Sequence, residues 1–251
     1  MIECRYSTRP LQVTIALAAT IYAGAAAAQK PEPAEARAQL VSIHQATLSG
    51  EMAGRIDNIA TRVGERFHKG DVLVLFDCAL PNAQLTHAQA ALTEAARTYE
   101  INRRAVAQKT TAQLELDIPA AEVLKAKADL AAAEAQVAKC SIPAPFDGVT
   151  IAQKMQAFEY ATAGRPIIEV LDDRALEVEL TAPSRSLAWL KPGTPFQLKL
   201  DENGKTYPGK VVRLGGRVDP ASQSVKAIGE LTGEAPDLMP GMSGRAVLTP
   251  Q

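Results

Sequence analysis

Apolar residues recur along this chain with two different periods. Over residues 85–106, and again over 123–137, they are spaced alternately by three and four positions, as in coiled-coil helices. Shorter runs at 54–59, 72–76 and 167–171 are apolar or alternate with polar residues, and turns containing Gly bound them, as expected for β-strands. The pattern therefore predicts two amphipathic helices between two short β-segments.

The two β-segments resemble each other. The first reads GRIDNI and continues, after a Lys-Gly-Asp turn, with VLVLF; the second reads DGVTIA and continues, after Ala-Gly-Arg, with PIIEVL. This similarity predicts that the segments are internal duplicates. Since a β-sheet must bury its apolar face against another element, the two segments must meet in space to form one β-domain. The helices between them must then fold back as a hairpin.

Two cysteines suggest a register for this hairpin. Cys78 and Cys140 are each in phase with the apolar positions of the adjoining helix. If the helices are antiparallel with Cys78 facing Cys140, every facing pair joins a large to a small side chain, which lets helices pack closely without voids. The pairs are Leu85 with Ala133, Ala88 with Leu130, Leu92 with Ala126 and Ala95 with Val123. The turn then falls near Lys109, and Asp117 is expected to cap the second helix.

After residue 171 the pattern changes to short alternating strands separated by turns. The strands are predicted at 176–181, 195–200, 209–214, 224–231 and 244–248. Several short strands at this spacing indicate a small β-barrel. We expect residues 36–45 to supply one further strand to this barrel.

The first 28 residues have the composition of a secretory signal peptide. Arg5 and Arg9 precede an apolar run over 11–23, and small residues follow up to Ala28, after which cleavage is expected. An uncleaved membrane anchor is the alternative, because the apolar run extends with alanines toward a spanning length. Either arrangement predicts an exported protein.

Cysteine usage agrees with export. Cleavage of the signal removes Cys4 and leaves Cys78 and Cys140 in an oxidising compartment. An even number of cysteines in such a compartment favours a disulfide. A Cys78–Cys140 disulfide would close a loop of about 60 residues at the base of the hairpin. Two buried free thiols are the alternative.

Composition excludes several classes of function. Apolar residues make up 47% of the chain and aromatic residues 4%, and the formal net charge is −1. There is no basic block that could bind nucleic acid through counterion release. The three histidines are scattered without a two-ligand spacing, and no set of nucleophile, base and metal ligands can be assembled. We therefore expect no enzyme, no catalytic residues, no metal and no cofactor.

The sequences GRIDNIATRVGERFHKGDVLVLFD and IPAPFDGVTIAQ, and above all APFDG at 144–148, resemble the lipoyl-like halves of the periplasmic adaptor, or membrane fusion, family (HlyD-like). The resemblance implies a mixed α and β, elongated multidomain fold, in which an antiparallel coiled-coil hairpin is inserted in a split lipoyl-like β-domain and a small β-barrel follows. The implied domains are a signal peptide at 1–28, lipoyl-like halves at 46–77 and 141–171, the hairpin at 78–140, and a barrel at 172–251 with 36–45.

The family resemblance also implies a function and a site. An adaptor subunit of this family links an inner-membrane efflux transporter to an outer-membrane channel, associates with itself into a ring, and resides in the periplasm at the inner membrane. Its hairpin tip contacts the partner. In this chain the resemblance implies Arg103 and Arg104 as contact residues, and the hairpin register alone is expected to place Gln108, Lys109 and Thr110 at the apex. For the two arginines, the alternative is that they are solvated charges on a helix.

Two other functions compete with this interpretation. An adaptor for ATP-driven protein or polysaccharide export would share the same architecture. A lipoyl or biotinyl carrier would share the β-domain, but such carriers place a modifiable Lys on the hairpin that joins their two halves. Here the helices occupy that joint, and Lys154 lies beyond it.

Overall fold

The structure is a computed structural model that describes residues 32–108, 112–233 and 237–250. The predicted signal peptide, at 1–28, lies outside the described residues. Within the described ranges, the chain forms fourteen strands, two α-helices and two short 3₁₀ helices. The strands are β1 (Ala34–Ser42), β2 (Gln45–Ser49), β3 (Gly54–Ile59), β4 (Arg66–Phe67), β5 (Val72–Phe76), β6 (Ser141–Pro143), β7 (Gly148–Gln153), β8 (Tyr160–Ala161), β9 (Pro166–Leu171), β10 (Leu176–Pro183), β11 (Pro195–Leu200), β12 (Thr206–Asp219), β13 (Ser224–Leu231) and β14 (Ser243–Leu248). The helices are α1 (Ala79–Ala107) and α2 (Asp117–Ala138), and the 3₁₀ helices are Gln113–Leu116 and Ser184–Ala188.

Both predicted β-segments contribute to one β-sandwich of two four-stranded sheets. One sheet has the order β2-β9-β7-β4 and the other the order β6-β5-β3-β8. Each sheet takes two strands from before the helices and two from after them. Each strand of the first sheet has a counterpart in the other segment: β6 for β2, β5 for β9, β3 for β7 and β8 for β4. Replacing every strand by its counterpart changes the first order into the second. The two segments are therefore duplicates that exchange strands.

Backbone hydrogen bonds repeat with the same symmetry, at an offset of 94 residues. The Gly70 N–H donates to the Ala144 carbonyl at 2.9 Å, and the Gly164 N–H donates to the Gly50 carbonyl at 2.8 Å. The same relation holds between the bond from Ala60 to Leu73 and the bond from Lys154 to Ile167, both 2.8 Å. The bonds of Gly70 and Gly164 each join one segment to the other, so neither segment can make them alone.

The sandwich core lies between the two sheets. Its buried side chains come from both segments and include Ile56, Phe76 and Ile167, each no more than 1% exposed. The Phe76 ring lies over Gly50, where a Cβ atom would be only 2.6 Å from the ring. The large Phe76 side chain thus occupies the space left open because Gly50 has no side chain, as dense core packing requires.

The two helices pack against each other, and their least exposed residues follow the predicted apolar pattern. Ala88 in α1 and Ala126 in α2 are buried, and the other predicted positions from 85 to 106 and from 123 to 137 are buried or half-buried. One detail of the prediction is wrong. Asp117 does not cap α2 but is its first residue, because the 3₁₀ helix Gln113–Leu116 precedes it and Leu116 holds the cap position.

The remaining strands close into a barrel in the order β1-β10-β13-β12-β11-β14. Side chains alternate between core and solvent, so that Leu40, Val178 and Leu198 are fully buried. A barrel of six strands has a narrow interior that needs large and small residues together. Phe196 fills it opposite Gly209 and Gly229, where added Cβ atoms would lie 2.3 and 2.4 Å from the ring.

The structure corrects two strand predictions. The segment expected to give one strand at 36–45 is divided, since β1 ends at Ser42 and β2 begins at Gln45 in the sandwich, with the chain crossing between the two domains at 43–44. Strand β12 is longer than the predicted 209–214, because it begins at Thr206 and continues past Leu214, through a register shift, to the pair Asp219 and Ser224. Residues 215–219 are exposed and carry no apolar pattern from which this length could be predicted.

Candidate functional site

The base of the hairpin is held by strands and by a disulfide. Strand β5, which enters the hairpin, pairs antiparallel with β6, which leaves it, and the Phe76 N–H donates to the Cys140 carbonyl at 2.8 Å. Cys78 and Cys140 form a disulfide with their Cα atoms 5.9 Å apart, as the sequence predicted. Cys140 is buried. The ends of the two helices therefore cannot separate without breaking a covalent bond and opening the sandwich.

Asp77 fixes the direction in which α1 leaves the sandwich. One of its carboxylate oxygens accepts a hydrogen bond from the Ala79 N–H at 3.1 Å, and the other pairs with the Arg55 guanidinium at 3.1 Å. A carboxylate at this position also interacts favourably with the helix dipole. With 29 residues, α1 extends about 43 Å from this anchor at 1.5 Å per residue.

The predicted tip residues are only partly described. Arg103 is exposed and forms an ion pair with Glu100 at 2.8 Å, one turn earlier on the same helix. Arg104 is exposed, and its carbonyl accepts the hydrogen bond from the Gln108 N–H that closes α1. Lys109 and Thr110 lie outside the described residues. The structure thus places three of the five residues together at the distal end of α1.

Sequence reasoning missed three apolar side chains on the outer face of the hairpin. Ile101 in α1, and Ile118 and Leu124 in α2, are each between 66% and 70% exposed. Beside Ile101, an open groove of about 620 Å³ runs along α1 from Leu92 to Arg104. The sequence did contain a signal for them, because each is an apolar residue outside the three-and-four spacing that marks the buried seam. We call Ile101, Arg104, Gln108 and Ile118 the distal surface.

The other candidate chemical groups contact different neighbours and are not brought together in one site. The His44 ring lies 5.8 Å from the Phe146 ring, and His68 lies 3.8 Å from the Asp71 carboxylate. Within the described ranges, no three His, Cys, Asp or Glu side chains are grouped so that they could hold a metal ion. Lys154 pairs with Glu169 at 3.3 Å. An amine engaged in this ion pair differs from the free Lys that a lipoyl carrier presents.

Three ionisable groups in exposed turns of the barrel have shifted pKa values. The backbone N–H of Ser243 donates to the Glu202 carboxylate at 2.8 Å and lowers the pKa of Glu202. Backbone N–H groups of Ser222 and then Ala221 lower the pKa of Asp219 in the same way. A hydrogen bond with Asp237 raises the pKa of Lys205. The hydrogen bonds of Asp219 lie within one turn, whereas those of Glu202 and Lys205 join loops that are distant in the sequence.

Neither α1 nor α2, the two helices of the described chain, is long and apolar enough to cross a bilayer.

Comparison with known proteins begins with the barrel. A family model described as "CusB-like, beta-barrel domain" matches residues 177–251, which contain nearly all of β10 and the strands up to β14. The multidrug resistance protein MdtN of Escherichia coli (strain K12) is 32% identical over 106 residues, which cover 42% of this chain and 31% of MdtN. The chain also spans only 44% of an uncharacterized protein of Haemophilus influenzae. The aligned part of the chain thus spans less than half the length of each of these two relatives.

Solved structures extend the comparison to the whole described fold. The membrane fusion protein Spr0693 from Streptococcus pneumoniae R6 aligns with a TM-score of 0.74 and 17% identity, over 86% of this chain and 99% of that chain. A MacA–MexA chimera containing the Pseudomonas aeruginosa MexA α-hairpin domain aligns with a TM-score of 0.76 and 19% identity, over 86% of this chain and 80% of that chain. At these identities the likeness concerns the fold.

The chain thus carries a CusB-like β-barrel domain and has the fold of the membrane fusion and periplasmic adaptor proteins, which confirms the resemblance predicted from its sequence.

Proposed function

We propose that this chain is the adaptor subunit of an efflux transporter, located in the periplasm at the inner membrane, and that it links the transporter to an outer-membrane channel. The observation that carries the proposal is a long helical hairpin whose base is locked by the Cys78–Cys140 disulfide and by the pairing of β5 with β6. A bridging subunit needs a stiff rod tied to a compact body, and this base supplies the tie.

The proposed domain division follows the predicted one. Residues 1–28 are the signal peptide, 46–77 and 141–171 the two lipoyl-like halves, 78–140 the hairpin, and 172–251 with 36–45 the barrel. The duplicated sandwich supports the lipoyl-like assignment, because its two halves exchange strands across the hairpin. Removal of the signal peptide would leave the barrel strand β1 near the new N-terminus.

The hairpin acts as an antiparallel coiled coil in the register set by the two cysteines. In this register Ala88 faces Leu130 and Leu92 faces Ala126. The burial of Ala88 and Ala126 supports this pairing, since a small residue inserted opposite a large one is the least exposed. Close packing along the seam makes the hairpin resist bending, so that a contact at the tip is held at a fixed distance from the barrel.

The distal end of the hairpin contacts the outer-membrane channel. The contact residues are Arg103, Arg104, Gln108, Lys109 and Thr110, together with the apolar side chains Ile101 and Ile118 of the distal surface. Exposed isoleucines next to charged side chains support this role, because protein interfaces combine an apolar centre with a polar rim. Several copies of the chain associate side by side into a ring, so that the channel meets several tips together.

Site-specific photo-cross-linking in intact membranes tests this function. A photoreactive amino acid at Gln108 of the full chain is expected to trap an outer-membrane protein or a neighbouring hairpin. The same amino acid at Lys210, an exposed position of the barrel strand β12, is the matched control and should not trap the outer-membrane protein. Only uncross-linked monomer at both Gln108 and Arg104 would contradict the proposal.

The inner-membrane partner distinguishes the two adaptor functions. Purification of the full chain from detergent-solubilised membranes, after mild cross-linking, should recover an efflux transporter. Recovery of an ATP-driven protein or polysaccharide exporter would favour the other adaptor function. The mass of the intact purified chain tests the carrier function separately, because an attached lipoyl or biotinyl group would add its mass at a lysine.

A further inference from the structure

Cationic side chains form a row around the outside of the β-barrel. In the strand register, Lys226 of β13 faces Thr181 of β10, which in turn faces Arg37 of β1. Arg37 also faces Arg245 of β14, and Arg245 faces Lys199 of β11. All five side chains are exposed. Directly opposed residues of antiparallel strands have Cβ atoms about 5 Å apart, so Arg37 and Arg245 lie side by side in the middle of the row.

The centre of this row is not neutralised as other parts of the barrel are. Among the described residues, no carboxylate lies within 4.0 Å of the side-chain nitrogens of Arg37, Arg245 or Lys199. Elsewhere on the barrel, Lys205 pairs with Asp237 and Arg213 with Glu177, and at the end of the row Lys226 pairs with Glu179. Like charges directly opposite each other destabilise an antiparallel pair. The two arginines therefore lower the stability of the barrel as long as no anion lies between them.

A cavity opens beside the two arginines. Its volume is about 550 Å³, and Thr181 and Gln39 add a hydroxyl and an amide donor to its lining. Ser243 also lines it, but its hydroxyl group donates to the Glu202 carboxylate at 3.3 Å. Two carboxylates, those of Glu179 and Asp201, also line it. Glu179 is neutralised by Lys226. The two arginines of the lining then remain against the single carboxylate of Asp201, which leaves one positive charge, so the cavity favours an anion over a cation.

We propose that Arg37 and Arg245 form a binding site for a phosphate group, supplied either by free phosphate or by the head group of a phospholipid. A guanidinium group presents its N–H donors as a planar fork that matches two oxygens of a phosphate. Two adjacent forks hold the anion from two sides, and the hydroxyl group of Thr181 donates to one of its remaining oxygens. The bound anion also removes the repulsion between the arginines. This site lies on the barrel and does not depend on the proposed adaptor function.

Titration of the full chain with inorganic phosphate tests the site. At constant ionic strength set by chloride, phosphate is expected to shift the side-chain N–H resonances of Arg37 and Arg245 and to saturate. The variants Arg37→Gln and Arg245→Gln should each weaken binding about tenfold, since a hydrogen-bonded charge contributes at least one factor of ten. The double variant should abolish saturable binding. Lys210→Gln removes an exposed charge outside the cavity and should bind as the unmodified chain does.

Thermal unfolding provides a second measurement that does not depend on affinity alone. Without phosphate, Arg37→Gln and Arg245→Gln should unfold at the same temperature as the unmodified chain or higher, because each removes the repulsion. Phosphate should raise the unfolding temperature of the unmodified chain and of Lys210→Gln, and not that of the double variant. A phosphate effect of equal size in the double variant would overturn the proposal.

Vesicles distinguish the two sources of the phosphate group. Sedimentation with phosphatidylglycerol vesicles, compared with phosphatidylcholine vesicles, should show binding that inorganic phosphate displaces and that Arg37→Gln weakens, if a phospholipid is the ligand. Saturable phosphate binding without vesicle binding assigns the site to the free ion. Absence of both, or equal weakening by Lys210→Gln, shows that the row is only a solvated set of charges.

Discussion

The two halves of the sandwich have the same backbone and different side chains. Strand order and hydrogen bonds repeat at an offset of 94 residues. At equivalent positions, however, a buried Ile in one half corresponds to Thr150 in the other, and Gly64 corresponds to Phe158. The first half ends at Cys78 and the hairpin, whereas the second ends at Asp172 and the barrel. The fold therefore depends on the shared backbone contacts, and it accepts different side chains between them.

The largest effect should come from the covalent tie between the halves. Cys78 and Cys140 are separated by 62 residues in sequence. In the double variant Cys78→Ala with Cys140→Ala, we expect the free energy of unfolding to fall by about 4 kcal/mol, the chain-entropy estimate for a loop of this length. Urea unfolding followed by circular dichroism measures the change. A reducing agent should destabilise the unmodified chain by a similar amount and leave the variant unaffected. If the reducing agent also destabilised the variant, the loss of stability would not come from this disulfide.

The next prediction uses a pair of equivalent glycines in different surroundings. A Cβ atom at Gly148 would lie 2.2 Å from the Leu171 carbonyl oxygen, whereas at Gly54 the nearest atom would be 3.6 Å away. Because the backbone of β9 cannot move without opening the core, Gly148→Ala should lower the free energy of unfolding by about 2–3 kcal/mol. Gly54→Ala, the matched control, should change it by less than about 0.5 kcal/mol. If calorimetry gave equal effects for the two variants, the packing around Gly148 would be no tighter than that around Gly54.

The elements that could be predicted from the sequence are those with a clear apolar period. Strands β3, β5, β11 and β13 have the predicted bounds, because alternation and turn residues mark both ends. The seam of the hairpin could be predicted for the same reason. The exchange of strands between the sheets could not, since it depends on contacts between distant residues that no local pattern encodes.

The features of the candidate site also differ in whether the sequence could predict them. The phase of Cys78 and Cys140 along the helices was enough to predict the disulfide. The exposed isoleucines of the distal surface were missed, because a single apolar residue on the polar side of a helix is normally unremarkable. The row of Arg37, Arg245 and Lys199 could not be seen either, since three residues from distant parts of the chain become neighbours only through barrel closure.

A smaller effect is expected where the halves differ in polarity. The hydroxyl groups of Thr61 and Thr150 are 2.8 Å apart in the core, and the equivalent positions are held by Met155 and Ile56. Thr150→Val should lower the free energy of unfolding by about 1–2 kcal/mol, because it leaves the Thr61 hydroxyl buried without this partner. Adding Thr61→Val should restore most of the loss, since the equivalent pair shows that this position accepts apolar side chains.

A double-mutant cycle on Thr61 and Thr150 measures the interaction directly. We expect a coupling of about 1 kcal/mol in urea unfolding, as for residues in direct contact. If the losses of unfolding free energy in the two single variants were additive, the two hydroxyl groups would not depend on each other. The apolar pair could then not replace the polar pair.

The smallest effect concerns a backbone conformation that both halves share. Gly64 has φ +87° and Phe158 has φ +71°, and their N–H groups make equivalent hydrogen bonds, to Thr150 at 2.8 Å and to Ile56 at 2.7 Å. Only glycine adopts this conformation without strain. With no atom within 4 Å of a Cβ at Gly64, Gly64→Ala isolates the strain and should lower the free energy of unfolding by about 1 kcal/mol.

Phe158→Gly is the reverse change. Its side chain is 73% exposed, so relief of strain should exceed the lost contacts and the greater freedom of the unfolded chain, and raise the free energy of unfolding by about 0.5 kcal/mol. Calorimetry of both variants measures the two signs. A loss above about 1 kcal/mol for Phe158→Gly would show that the ring stabilises the folded chain by more than the strain it imposes, in which case the second half has gained a packing interaction that the first half lacks.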